Sequence, residues 1–231
     1  MVSTNISINQ HRFQDFSRFV GENIESITPM TFSNEFGKLE WSFIHYNEVD
    51  NFCNASIDLV TNVIEKNRSD LAGIIISGLC KIVDLPATQL EKIAKKGYYV
   101  AKKNDDPIHM MSRLEDLRRV LVGKKDRFYD YLHTLFKEEK CLERIVNDYD
   151  DLKDNRRTVL RELKPIESYQ KMLAHVQVDI AKVTKKKEPE NATKRLLEAR
   201  EVFEKFKNKQ TVEYIDMLLR EISQTKMDIF A

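Results

Sequence analysis

The chain has 231 residues, enough for one large domain or two small ones. Hydrophobic residues make up 42% and charged residues 32%, with only six glycines and five prolines. That balance fits an all-helical protein with long exposed faces and disfavours a β-sandwich or a doubly wound sheet. The formal net charge of +1 conceals a gradient. Residues 1–60 carry three bases against eight acids, a net of −5, and residues 181–209 carry ten bases against five acids, a net of +5. A local excess of this kind attracts partners of opposite sign even in a near-neutral molecule.

The first nine residues lack a basic stretch followed by an apolar one, so no secretory leader is expected. The longest apolar block, Leu71–Cys80, falls far short of the roughly 20 residues needed to span a bilayer. Cys53, Cys80 and Cys141 are widely separated and form no Cys-x-x-Cys pair. Neither a disulfide framework nor a zinc knuckle is indicated, and a reducing, cytoplasmic setting is the natural expectation.

Residues 9–25 predict a short amphipathic helix with Phe13, Phe16 and Val20 on one face and Phe19 and Ile24 beside it. Docking on a core is the first reading. Insertion of Phe13, Phe16, Phe19 and Val20 into a membrane surface is the second, weakened by Glu22 and Glu25. Thr28-Pro29 ends this segment, which sets residues 1–32 apart as an N-terminal extension. A long helix is expected from about Ser33 to Lys66, followed by another from Ser69-Asp70 through Val83. Leu71, Ile74, Ile75, Ile76, Leu79 and Ile82 make that second helix apolar nearly all round, so it is either deeply buried or part of a subunit interface. Further helices are expected at 87–103 and from Pro107 through Leu121, with a break at Gly123.

From Phe128 the pattern merges into heptads. Ile145, Leu152, Val159, Ile166, Leu173 and Ile180 recur every seven residues, with Leu142, Tyr149, Leu163, Tyr169, Val176 and Val183 beside them. Such a seam must be covered by another helix. Pro165 lies inside the run and one seam keeps its phase across it, which predicts one continuous helix kinked at Pro165. From Gly123 to its tip that helix would be roughly 90–100 Å long. The run ends at Lys185-Lys186-Lys187-Glu188-Pro189, and Leu196, Phe203, Phe206, Ile215 and Ile222 mark a returning helix. The expectation is a helical hairpin with a basic tip, within an all-α domain over 33–231. The placement of residues 67–106 in that domain is left open.

No catalytic constellation emerges. The five histidines are dispersed, and Asp106-x-x-His109 and Asp130-x-x-His133 lack the paired glutamates of a di-iron bundle. Gly73-x-x-x-x-Gly78 has phosphate-loop spacing but is followed by Leu79-Cys80 in place of Lys-Ser/Thr. The expectations are therefore no enzymatic activity, no catalytic residues, no cofactor and no metal. Nucleic-acid binding is disfavoured too, because the basic stretch matches no recognition motif.

Three stretches resemble the second and third helices of a BAR domain. They are the bend Leu163-Lys-Pro-Ile-Glu-Ser-Tyr169, the basic turn Lys185-Lys-Lys-Glu-Pro-Glu-Asn191, and the returning helix Lys194-Arg-Leu-Leu-Glu-Ala-Arg-Glu-Val-Phe-Glu204. Phe36-Gly-Lys-Leu through Asp58-Leu-Val, and Asp148-Tyr-Asp-Asp-Leu-Lys-Asp-Asn-Arg156, are similar to the Chibby-interacting, cilium-base BAR group. The resemblance covers about half the chain and leaves 67–125 without a counterpart. It implies a kinked three-helix coiled coil that dimerises into a curved bundle and senses or shapes membrane curvature from the cytoplasmic side. Its partners would be an anionic phospholipid membrane and a second copy of the chain. Lys182, Lys185, Lys186, Lys187, Lys194 and Arg195 would meet the lipid headgroups, with Arg156, Arg157 and Arg161 as a second patch. The competing reading is a helical adaptor that binds other coiled-coil proteins and has no lipid role.

Overall fold

A computed structural model describes residues 7–82, 85–154 and 163–230, with backbone alone for 225–230. The described residues contain helices and no strand. They divide into two compact units at Val120/Leu121. The division therefore does not follow the expected separation of residues 1–32 from a single domain over 33–231.

The N-terminal unit holds α1 (Ile8–Glu22), α2 (Pro29–His45), α3 (Val49–Glu65), α4 (Ser69–Leu79), α5 (Ala87–Lys103) and α6 (Pro107–Leu121). Ser7 starts α1 with a capping box, its hydroxyl accepting from Gln10 N–H while the Gln10 side chain accepts from Ser7 N–H. Thr28 caps α2, with Pro29 at the first helical position, where a missing N–H costs nothing. Phe13 and Phe16 from α1, Phe32, Phe36 and Phe43 from α2, and Phe52 from α3 form one aromatic cluster. Phe13 meets Phe43 and Phe52 edge-on at centroid separations of 6.1 and 6.0 Å. Phe13, Phe16 and Val20 thus belong to the core, the first of the two readings of this helix, and are not free to insert into a membrane. Only Phe19 of that set is exposed.

The long helix expected over 33–66 is two helices. Asn47 adopts a left-handed conformation (φ 58°), Asn47 N–H donates to Ile44 O, and Glu48 N–H reaches back to Phe43 O at 2.9 Å. This paired bonding satisfies the last carbonyls of α2 while the next helix begins at once. The same turn recurs at Asn67, Asp105 and Lys207, each with positive φ and each followed by the same back-bond. Short polar side chains tolerate this backbone region, so Asn and Asp fill three of the four sites. The folded-back arrangement lets successive apolar faces cover one another. Leu71, Ala72, Ile75, Ile76 and Leu79 of α4 are buried among α2, α3 and α5, the deep-burial alternative for that apolar segment. At Gly97 of α5 an added Cβ would lie 2.9 Å from Ile76 and 2.8 Å from Arg113, so glycine permits close approach there. Arg68 fastens the chain end-on. Its guanidinium donates to Ile24 O, to Ile27 O and to Asp70, whose carboxyl is held below the usual range chiefly by that bond.

The C-terminal unit holds a 3-10 turn at Lys125–Arg127, α7 (Phe128–Asn147), α8 (Tyr149–Asp154), α9 (Ile166–Thr184), α10 (Pro189–Lys205) and α11 (Lys209–Phe230). The continuous kinked helix is not present. Residues 163–165 are non-helical and Pro165 is the N-cap of α9 (φ −54°, ψ 145°). Proline suits that position, since it cannot donate to a preceding turn and favours an extended residue before it. The chain reverses between α7 and α9. Tyr149 contacts Tyr169 near one end, and Lys187 lies over Tyr129 at the other. The heptad residues Leu142 and Ile145 on one helix and Tyr169, Val176 and Ile180 on the other are buried. A seam that a straight rod would leave for a second copy is closed within the chain. The expected returning helix is likewise two, α10 and α11, turned at Lys207. Their core joins Leu196, Ala199 and Phe203 to Ile215, Leu218 and Ile222 and to Ala174, Val178 and Ala181 of α9.

Candidate membrane-contact surface

The α9–α10 connection is short and tightly bonded. Lys185 N–H donates to Ala181 O, and both Lys187 and Glu188 N–H donate to Thr184 O at 2.9 Å. Pro189 opens α10. Four closely spaced lysines are thereby presented at one end of the C-terminal unit, with Lys182, Lys186 and Lys187 exposed.

The rest of that end comes from a segment about sixty residues earlier in the chain. Lys187 Nζ sits 5.8 Å from the centroid of Tyr129, in the first turn of α7. The turn carrying Lys124, Lys125 and Arg127 immediately precedes this helix, and Gly123 at φ 79° supplies the reversal. Apolar side chains accompany the charge: Tyr129 is 72% exposed, Val122 60%, and Phe128 packs edge-on against Tyr129 at 5.5 Å. Cationic heads and outward aromatic rings therefore share one end of the bundle. Lys124, Lys125, Val122, Phe128 and Tyr129 were missed from sequence. Their signal was a Lys-Lys pair beside a Phe-Tyr pair at a helix start, which gains meaning only once α7 and α9 are known to run antiparallel.

The expected lipid contacts separate into two groups. Lys182, Lys186 and Lys187 point to solvent. Lys185 pairs with Glu221 and ties the end of α9 to α11, and Lys194 lies 3.9 Å from Glu198 on its own helix. Arg195 is a structural residue. Its Nε and Nη2 bond the two carboxylate oxygens of the buried Glu139 at 2.8 and 3.1 Å, and its guanidinium lies 5.5 Å from the Phe136 ring. A forked pair of this kind locks α10 to α7 and turns the bonded edge of the guanidinium away from any headgroup. Arg156, Arg157 and Arg161 lie outside the described residues.

Other chemistry-bearing groups are dispersed. Among the described residues no cluster of three or more His, Cys, Asp or Glu side chains could hold a metal ion. Burial pushes the Cys53 thiol up to about 11, so it stays protonated at neutral pH. No described helix is long and apolar enough to cross a membrane. No family model matches the chain, and no curated protein or solved structure matches it either.

Proposed function

We propose that this protein is a peripheral scaffold that docks on anionic phospholipid surfaces, at the cytoplasmic face, through the cationic end of its C-terminal unit. One observation carries the reading: Lys187 of the α9–α10 turn lies over the exposed Tyr129, in the first turn of the helix that Lys124 and Lys125 closely precede. Each exposed lysine near such a surface contributes about 1 kcal/mol. Val122, Phe128 and Tyr129 add side chains suited to the headgroup boundary, where one end of the ring is apolar and the other wet. The fuller form of the reading, a homodimer that senses or shapes curvature, is carried by the BAR resemblance alone. Its physical premise was a rod bent at Pro165, and α7 and α9 fold side by side instead.

A second reading, a helical adaptor without a lipid role, draws on the ion pairs. Lys185, Lys194 and Arg195 already have carboxylate partners, so part of the basic run is neutralised within the fold.

Co-sedimentation with vesicles of phosphatidylserine and phosphatidylcholine, against phosphatidylcholine alone, separates the two. Wild type should pellet with the anionic vesicles only, and less at high salt. Lys182/Lys186/Lys187→Glu should weaken that binding at least tenfold without changing the helical circular dichroism, since these side chains are exposed. Wild-type protein that stays in the supernatant with both vesicle types would establish the adaptor reading in its place. Light scattering on the same samples reads whether the chain is a dimer.

A further inference from the structure

Helix α5 is a strongly basic element in an acidic unit. It carries five lysines and a single acid, Glu91, a net of +4. The rest of the N-terminal unit carries nine bases and fifteen acids, a net of −6. The lysines are not spread round the helix, because Ile93, Ala94, Gly97, Val100 and Ala101 fill its inner face. On the outer face Lys92, Lys96, Tyr99 and Lys103 are separated by four, three and four residues, the spacing of a single stripe. Lys95 and Lys102 each stand one position before a member of that stripe. At 1.5 Å per residue the stripe is roughly 16 Å long.

The contacts leave most of this charge uncompensated. Lys92 donates to Asn54 Oδ1 at 3.2 Å and Lys103 to Ile64 O at 3.1 Å, both neutral acceptors on α3. Lys96 lies 6.0 Å from the centroid of the Tyr99 ring. Of the five lysines, Lys95 alone pairs with a carboxylate among the described residues, Glu91 at 2.7 Å. Asp58 and Glu65, exposed on the neighbouring α3, form no ion pair with any of them, and Asp106 beyond the helix end is engaged by His109. Tyr99 is 53% exposed and is the one large apolar side chain that α5 presents outward.

A ligand for this face must be anionic and narrow. A flat anionic surface would also meet the acidic remainder of the unit, whereas a ligand lying along α5 meets the lysines and Tyr99. Bonds from Lys92 and Lys103 hold one flank of α5 to α3, so it does not project as a helix entering a nucleic-acid groove does. A single ring already attended by Lys96 offers no row of stacking platforms for a single strand. Ammonium groups one turn apart do match carboxylates one turn apart on another helix, about 5–6 Å in each case. We infer that the outer face of α5 is a docking site for an acidic helix of a partner protein. Its carboxylates, at one-turn spacing, oppose Lys92, Lys96 and Lys103, and an apolar residue among them covers Tyr99, an aromatic anchor within a charged rim. This site lies in the N-terminal unit and does not depend on the lipid contact proposed above.

The probes are two fluorescein-labelled, alanine-based helical peptides of identical composition, rich in glutamate with a few leucines. In one the glutamates and leucines share a single face, and in the other they are distributed round the helix. Binding to the full chain is read by fluorescence anisotropy at low salt. The one-faced peptide should bind, more weakly as salt rises, and the distributed peptide at least tenfold more weakly. Lys92/Lys96/Lys103→Gln should keep the helical circular dichroism and lose at least tenfold in affinity for the one-faced peptide. Tyr99→Ala should weaken the same peptide and leave the distributed one unchanged. Lys182/Lys186/Lys187→Glu, altered only in the C-terminal unit, should bind it as wild type does. Equal affinity for both peptides, binding of neither, or unchanged affinity in the α5 variants would overturn the proposal. Loss in the C-terminal variant instead would assign the peptide to the cationic end and overturn it as well. If phosphatidylserine vesicles or a single-stranded oligonucleotide bound through the α5 lysines while neither peptide did, the face would belong to lipid or nucleic acid, with the same consequence.

Discussion

Arg195 shows how little a side chain's charge says about its task. In the sequence it stands one residue after Lys194, on a helix that follows a lysine run, and both belonged to the expected lipid contact. In the fold Lys194 is exposed, whereas Arg195 turns inward to the two oxygens of Glu139. The distinction arises from the facing helix, which supplies the buried carboxylate of Glu139, and nothing in the local sequence of α10 announces it. Removing one partner of such a pair leaves the other buried and uncompensated. Arg195→Ala should therefore destabilise the C-terminal unit by about 2–3 kcal/mol, discounted from a fully buried pair for its partial exposure. Arg195→Lys should recover only part of this, because an ammonium cannot span both oxygens. Urea denaturation of the single variants, Glu139→Ala and the double variant would yield the coupling. A coupling near zero would show that the pair contributes geometry without energy.

At the scale of elements, helices were legible and their ends were not. The 3–4 spacing of Phe36, Leu39 and Phe43, and the seven-residue spacing of Leu196 and Phe203, correctly mark helical faces that enter cores. Thr28-Pro29 and Asn104 through Pro107 likewise mark boundaries through cap chemistry, whereas at Ser69-Asp70 the N-cap is Arg68 and no side chain caps the helix. The failures fall at Asn47, Lys207 and Pro165. Asn47 and Lys207 turn the chain by one left-handed residue, and neither is the glycine that usually announces such a turn. Apolar spacing continues across them because the next helix also needs a buried face, so periodicity alone cannot distinguish a straight helix from one folded back. Pro165 failed for a related reason. A proline between two phased heptad runs is compatible with a kink and with a helix start, and only the antiparallel packing of α7 on α9 decides. The basic turn was readable, whereas its aromatic companions were not, because they arrive from the far end of α7. As an N-cap, Pro165 contributes only its carbonyl, which accepts from Ser168 N–H, and its missing N–H costs α9 no hydrogen bond. Pro165→Ala should leave both the helical signal and the radius of gyration from small-angle scattering unchanged. A lengthened particle would show that the heptads prefer to run through.

Across the whole molecule, each unit has its own core and its own electrostatic sign. Through Val120 the chain holds 14 bases and 16 acids, a net of −2, and from Leu121 onward 24 bases and 21 acids, a net of +3. The N-terminal core is built on phenylalanine rings and the C-terminal core on alanine and branched aliphatics around Phe203. Aromatic rings keep helices apart and leave room for several to converge, whereas Ala174, Ala181, Ala192 and Ala199 let α9 and α10 approach closely. The proposed lipid contact follows the same partition, since its cationic end belongs to the C-terminal unit alone. Separate cores imply separate cooperativity. Phe36→Ala should cost about 3–5 kcal/mol and Leu196→Ala about 2–5 kcal/mol, each by leaving a cavity in its own core. Native-state hydrogen exchange read peptide by peptide gives the distribution of that loss. In Phe36→Ala the amides of α2–α4 should lose protection while those of α9 and α10 keep theirs, and Leu196→Ala should do the reverse. Uniform loss over both units in either variant would mean that the chain unfolds as one body. Anything bound at the cationic end would then stabilise the N-terminal core as well, whereas with independent units that end can be engaged or lost without affecting it.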